Sequence, residues 1–282
     1  MNLLISNLYN YHYEILESLV ILFPKLINKN FNKIKLLINK NDSFEKYFSN
    51  KYPNIIISNQ NNNEKYDYVL YATSYLKDIR DFQSNIYYVS HEVLDYYDLS
   101  NNKNIITLTP LCKKSLLLKP FILPYQNEKI KSEIPIFVIQ GNFDDENYNH
   151  SRRNYDLIED ILIEDYKFDF QIKLLGRGKI PSYLENHPKI SFFKNLNFED
   201  YHKEFLNAYA IIPCISKETH PQYYLNKYTS SISYGEGYNL YFLIDEELDQ
   251  IYNPNKKVIY QNNISEGFNK LLEMFYEKEN NK

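Results

Sequence analysis

The chain has 282 residues, enough for two compact domains of roughly 130–150 residues each. With 44% hydrophobic residues, 17 Phe and 29 Tyr, each half can bury a core. A net charge of −4 without a dominant basic run speaks against a nucleic-acid-binding surface. Cys112 and Cys214 lie far apart without Cys-x-x-Cys spacing, which disfavours a disulfide framework or a zinc site and fits a reducing compartment. The N-terminus has neither the basic flank nor the apolar length of a signal peptide, and no apolar run approaches the ~18–20 residues that cross a bilayer. A soluble, cytoplasmic protein is expected. Glycines number only 6, so Asn is expected to fill some left-handed backbone positions.

In chain order, residues 3–5, 34–38, 54–57, 68–71, 86–89 and 105–108 are strand-length apolar runs, as strands buried on both faces of a parallel sheet would be. Amphipathic stretches at 13–26 and 43–48 fall between them, and 59–65 is polar enough for a loop. A charged connector at 126–133 marks the expected boundary, dividing 1–128 from 129–282. The pattern then restarts with strands at 134–139, 170–175, 190–193, 210–215 and 240–244 and helices at 153–163, 199–208 and 230–238. A closing helix at 264–276 and a frayed polar end at 277–282 follow. Strand alternating with helix implies right-handed crossovers and two doubly wound α/β sheets, whose ligands bind outside the carboxyl ends of the strands.

The positions just after strands are therefore the informative ones. His91 follows the fifth strand, where an imidazole can reach a ligand or merely cap a turn. Gln140-Gly141-Asn142 ends the first strand of the second half, and Ser151-Arg152-Arg153 opens a helix. Two cations there oppose the helix dipole unless an anion joins them, so Arg152 and Arg153 read as phosphate ligands. Pairing with Asp144, Asp145 or Glu146 is the alternative. Gly176-Arg177-Gly178-Lys179 reads as a cationic turn but lacks the third glycine of a dinucleotide fingerprint. Glu218 follows a buried strand and could accept hydrogen bonds from sugar hydroxyls, or be an ordinary loop carboxylate. Lys227-Tyr228-Thr229-Ser230-Ser231 offers a cation and three hydroxyls at a helix start, where capping alone needs one. No phosphate-binding P-loop, His-Glu-x-x-His, Gly-x-Ser-x-Gly or Asp-x-Asp motif is present, so no metal is expected.

The order of these features resembles the GT-B glycosyltransferases, in particular the retaining family four. His91-Glu92 resembles that family's His followed by an acidic residue. Residues 105–110 resemble its next strand end, and Phe121-Ile122-Leu123-Pro124-Tyr125 resembles the strand ending in Pro that leaves the first domain. Gly141-Asn142 and Arg152 or Arg153 stand where the family binds the donor diphosphate. Gly176-Arg177-Gly178 resembles its Gly-Asp-Gly turn, and residues 189–196, including Asn195 and Leu196, resemble the strand and loop that carry the nucleotide base. Pro213 to Glu218 resembles the first half of its paired-glutamate signature, while Thr229-Ser230-Ser231 stands where the second glutamate would be.

The resemblance implies two Rossmann-like parallel-sheet domains facing across a cleft. It implies glycosyl transfer from a nucleotide sugar, UDP-sugar ahead of GDP-sugar, to a glycan or other hydroxyl acceptor, with retention and without a metal cofactor. His91 and Glu218 would then touch the reacting sugar. Gly141, Asn142, Arg152, Arg153, Asn195, Leu196, Lys227, Thr229, Ser230 and Ser231 would hold the donor. Alternatives are a nucleotide-sugar epimerase using Glu92 and Glu218 as acid and base, and a sugar-binding protein without activity.

Overall fold

The computed structural model describes residues 1–9, 12–60, 64–74, 85–91, 104–111, 116–124, 130–143 and 153–280. Two compact units emerge, Met1–Ile122 with the short segment Leu225–Tyr228, and Leu123–Tyr224 with Thr229–Lys282. Residues 126–129 of the expected connector lie outside the described residues.

The first unit contains β1 (Asn2–Asn7), α1 (Leu16–Leu26, entered through a 3-10 turn at Tyr13–Ile15), β2 (Lys33–Ile38), α2 (Asp42–Lys51) and β3 (Ile56–Ser58). β4 (Tyr68–Ser74), β5 (Ile86–Ser90), β6 (Ile105–Thr107) and β7 (Leu116–Leu117) complete it. The strands form one parallel sheet in the order β3-β2-β1-β4-β5-β6-β7. Central β1 is buried from Leu3 to Asn7, which is why it reads as a continuous apolar run rather than an alternating one. α2 starts where the Asn41 side chain accepts a hydrogen bond from Phe44 N (3.1 Å), and it buries Phe44, Tyr47 and Phe48.

The second unit contains β8 (Ile136–Phe143), α3 (Tyr155–Ile163), β9 (Gln171–Gly178), α4 (Ser182–Glu185), β10 (Ile190–Lys194), α5 (Phe198–Lys203) and β11 (Ala210–Ile211). α6 (Gln222–Leu225), α7 (Ser230–Gly237), β12 (Tyr241–Asp245), α8 (Glu246–Tyr252), β13 (Lys257–Tyr260) and α9 (Ile264–Asn280) follow. Its parallel sheet has the order β10-β9-β8-β11-β12-β13. The core packs α3 and α9 on the sheet through Ile158, Ile161, Phe268, Leu271 and Leu272, with the Phe137 and Phe268 rings 4.2 Å apart. In both sheets the strand order reverses beside the first strand, between β1 and β4 and between β8 and β11. That reversal is where doubly wound sheets open their ligand crevice.

Several expected elements differ. The strand expected at 210–215 is only Ala210–Ile211, because Cys214 takes a left-handed backbone (φ 54°) that extended pairing does not tolerate. Gly176, Arg177 and Gly178 do not form a turn but continue β9, opposite Gly141, Asn142 and Phe143. The helix expected at 199–208 ends at Lys203, after which tight turns take over. Residues 277–280 are helical rather than frayed, because Tyr276 Oη donates to Asp169 O (3.0 Å) and Lys278 stacks on Tyr241. Residues 121–124 form no strand; both polar backbone atoms of Phe121 bond to Ser18 Oγ instead. β13 gave no apolar run in the sequence, since an edge strand starting at a lysine carries only two aliphatic residues.

Candidate functional site

In the second unit, the carboxyl end of β8 is organised by Gln140, which is fully buried. Arg153, just ahead of α3, folds back so that Nε donates to the Gln140 carbonyl (2.7 Å) and Nη2 donates to the same oxygen. The Gln140 amide donates to Ser230 Oγ (3.2 Å) at the start of α7, and its Oε1 accepts from Tyr201 Oη (2.8 Å) on α5. One residue, through its carbonyl and its side-chain amide, thus ties the approach to α3, α5 and α7 to the edge where the strand order reverses.

The backbone there has been cleared of side chains. Gly141 has φ +142°, and a Cβ on it would stand 1.6 Å from the Arg153 guanidinium. A Cβ on Gly176, its partner across the ladder, would stand 1.7 Å from the Gly141 carbonyl oxygen. Arg153 is only 8% exposed, so its charge works in a poorly solvated setting. The chain that carries it is pinned by Asn154 N donating to Cys214 O (2.9 Å) and by the Cys214 thiol donating to Asn154 O (3.1 Å). Burial pushes that thiol up to about 12, against a smaller opposing effect of Arg153, so it stays protonated.

The polar groups around this edge are only partly used. Thr229 is the N-cap residue of α7, yet its side chain makes no capping bond. Ser231 Oγ and Asn142 Oδ1 are buried without a hydrogen-bond partner. At this helix start the Ser231 hydroxyl can donate to an anion, whereas Asn142 Oδ1 can only accept and suits a hydroxyl or N–H donor of a ligand. Asn195, at φ 55°, donates its N–H to Gly176 O (2.8 Å), placing it with neighbouring Leu196 beside the same strand end. Glu218 is exposed on a turn next to the Lys217–Glu247 ion pair (2.7 Å).

In the first unit a second cluster sits at the corresponding edge. His91, directly after β5, donates Nε2–H to the carbonyl of Ala72 on β4 (3.0 Å). Its ring stacks on that of His12 at 3.7 Å between centroids, and His12 Nδ1 bonds the Glu14 carboxylate (3.2 Å). His12 takes a left-handed backbone (φ 64°) after β1. Burial, then the neighbouring His12, hold the His91 pKa down to about 3, with Lys227 adding to the fall and the Ala72 carbonyl and Glu14 opposing it. At Glu14 burial acts upward, but the His12 hydrogen bond and charge outweigh it and leave the carboxyl below its usual range.

His91 is therefore a neutral imidazole near pH 7, with the proton on Nε2. Since the unfolded chain binds this proton below about pH 6.5 and the folded one only near pH 3, the stability contribution is complete above 6.5 and falls away as pH drops toward 3. Urea unfolding between pH 7 and 5 should show declining stability in the wild type and a flatter profile in His91→Gln. Identical slopes would refute the assignment.

No protein-family profile matches the sequence, and no curated protein sequence matches it significantly. Solved structures do. The chain is similar to a glycosyltransferase from Rickettsia africae ESF-5, with a TM-score of 0.54 and 11% identity over 98% of this chain and 88% of that one. Its fold is that of the GT-B glycosyltransferases. WaaG, a glycosyltransferase involved in lipopolysaccharide biosynthesis, gives a TM-score of 0.52 and 11% identity over 96% of this chain and 90% of WaaG. Sucrose-phosphate synthase from Thermosynechococcus elongatus gives 0.50 and 9%, over 98% and 89%. At such identities the likeness establishes the fold, and function has to be argued from the site.

Within this GT-B fold, Gly141, Asn142, Arg153, Ser230, Ser231, Thr229 and Asn195 gather at one edge of the second sheet, as their places after strands suggest. Lys227 instead counts with the first unit, where its charge is felt by His91. Arg152, Glu92 and Asp144 to Glu146 lie outside the described residues. Gln140, Tyr201 and His12 carry no motif. A polar residue immediately before a strand-end glycine is the signal for Gln140, and only tertiary pairing identifies the other two. Among the described residues, no group of three His, Cys, Asp or Glu side chains could hold a metal ion, and no helix is long and apolar enough to cross a membrane.

Proposed function

We propose that the protein transfers a glycosyl group from a nucleoside-diphosphate sugar, a UDP-sugar in preference to a GDP-sugar, to a hydroxyl acceptor, with retention and without a metal. The observation that carries this reading is the carboxyl edge of the second sheet. There Arg153 covers Gly141, the α7 N-terminus is tied to Gln140 through Ser230, the neighbouring Ser231 hydroxyl has no hydrogen-bond partner, and Gly141 and Gly176 keep the backbone free of side chains. A diphosphate suits such a place, because it needs both a cation and many N–H or O–H donors. Asn195 and Leu196 would flank the nucleotide base, and Glu218 would bond sugar hydroxyls.

In the reaction, the bond from the anomeric carbon to the diphosphate oxygen breaks and one to the acceptor oxygen forms on the same face. The acceptor proton passes to the departing diphosphate. Arg153 and the helix N-terminus stabilise the charge that develops there, which is electrostatic preorganisation rather than base catalysis. His91, being neutral, would serve as a hydrogen-bonding group for sugar or acceptor rather than as an anion ligand.

A thermal-shift screen of UDP- and GDP-sugars tests binding, since a ligand at ~100 times its dissociation constant stabilises by about 2.7 kcal/mol. Release of UDP in the presence of hydroxyl acceptors, with the product anomer read by NMR, tests the reaction. Excess EDTA should leave both unchanged, and loss restored by manganese would sink the metal-free mechanism. Inversion of the anomer would sink retention alone. Conversion of the donor sugar without any acceptor would replace transfer by epimerisation.

A further inference from the structure

The opposite, amino-terminal edge of the second sheet holds a cavity of about 320 Å³. It is built from residues just before or at the start of β8, β11, β12 and β13, together with α9, and lies at the low end of the size range of small-molecule sites. Tyr209, Tyr241 and Phe275 form aromatic walls, with Tyr209 centred 5.1 Å from Tyr241 and 5.0 Å from Phe275. The Tyr209 hydroxyl is buried without a partner. Ser132 and Asn207 add polar groups; Asn207 turns its Oδ1 to Lys173 (2.9 Å), leaving its amide N–H groups as donors.

Lys256 lines the cavity, and Lys278, outside the lining, meets it through Tyr241. Lys256 Nζ lies 5.7 Å and Lys278 Nζ 4.6 Å from the centre of the Tyr241 ring, and Lys278 also donates to Tyr241 Oη. Neither has a carboxylate partner among the described residues. Lys173, Lys189, Lys203, Lys217 and Lys257 of this unit are ion-paired, and what sets Lys256 and Lys278 apart from its other lysines is that both meet the same Tyr241 ring. Two unneutralised ammonium groups held over an aromatic wall are arranged for an anion. The aromatic walls suit the C–H face of a ring, and the hydroxyl and amide groups suit ring hydroxyls.

We propose that this cavity is a second binding site, separate from the donor site, for a pyranose carrying an anionic group, either a free sugar phosphate or an acidic residue of a glycan. The site does not depend on the donor-site reading, because it uses the other edge of the sheet.

Isothermal titration with glucose 6-phosphate, glucuronate, glucose and inorganic phosphate tests it. Glucose 6-phosphate or glucuronate should bind at least tenfold more tightly than glucose or phosphate. Preference for glucose 6-phosphate alone assigns a sugar phosphate, and comparable binding of glucuronate assigns acidic glycan residues. Lys256→Ala with Lys278→Ala should weaken binding by tenfold or more. Because Lys278 also packs on Tyr241, Lys256→Gln alone should give a several-fold loss with an unchanged melting temperature. Saturating UDP should not compete. Absence of binding, equal affinity for inorganic phosphate, indifference to both lysine variants, or displacement by UDP would each overturn the proposal.

Discussion

Gly176→Ala should lower the melting temperature of the protein by roughly 6–12 °C, corresponding to about 3 kcal/mol or more in a domain of this size. The added Cβ would stand 1.7 Å from the Gly141 carbonyl oxygen and 3.1 Å from Phe143 Cε2. The first of these is a main-chain atom on a paired central strand and cannot swing aside as a flexible side chain would. Relief requires β8 and β9 to separate where Gly141 pairs with Gly176, Asn142 with Arg177 and Phe143 with Gly178. Differential scanning calorimetry of the variant measures the cost. A shift below 2 °C would mean that the two strand ends are not in close contact, and the site built on them would fail with it.

Loss of Arg153 should weaken nucleoside-diphosphate binding by roughly ten- to a hundredfold, since a charge-assisted hydrogen bond contributes about 1.5–3 kcal/mol. Arg153→Ala also frees the Gln140 carbonyl, which now accepts from Nε and Nη2, and uncovers Gly141. Arg153→Lys keeps the charge but cannot make that forked contact, so it should recover only part of the affinity. Gly141→Ala is the independent check. Its Cβ would collide with the guanidinium at 1.6 Å, and at φ +142° the backbone itself resists a side chain, so it should mimic Arg153→Ala in binding and add a loss of stability. Titrations of UDP and GDP into the three variants decide the matter. Full affinity for both nucleotides in Arg153→Ala, with the variant folded, would reduce Arg153 to a structural clamp. Combining it with Arg152→Ala would then reveal whether the neighbouring cation carries the phosphate contact.

Legibility followed local apolarity. β1, β2, β5, β8, β9 and β12 are buried strands whose side chains face other layers, and each stood out as an apolar run. Of the four edge strands, β3 and β10 still carry apolar runs, whereas β7 is only two residues long and β13 has only two aliphatic residues, and these two did not stand out. β11 was overestimated for a different reason. Residues 212–215 are as buried as a strand, but Cys214 leaves the extended region to dock on Asn154, and apolarity reports burial rather than pairing. At the candidate site, Gly141, Arg153 and Ser230 could be named because strand ends and helix starts are readable from sequence. His91 could be named in the same way.

The roles of these residues depended on contacts between distant stretches. The sequence by itself determined that two α/β halves follow one another and that polar groups stand just after the strands, because hydrophobic periodicity encodes which segments are buried. It also determined where cations and hydroxyls could meet a helix N-terminus. Only the tertiary structure decided that Gln140 joins Arg153, Tyr201 and Ser230, partners 13, 61 and 90 residues away. It alone paired His12 with His91, and it counted Lys227 with the first unit rather than the second. Such pairings have no sequence period, since they arise where loops from separate strands converge at a sheet edge, and only the crossing of the strands brings them within hydrogen-bond reach.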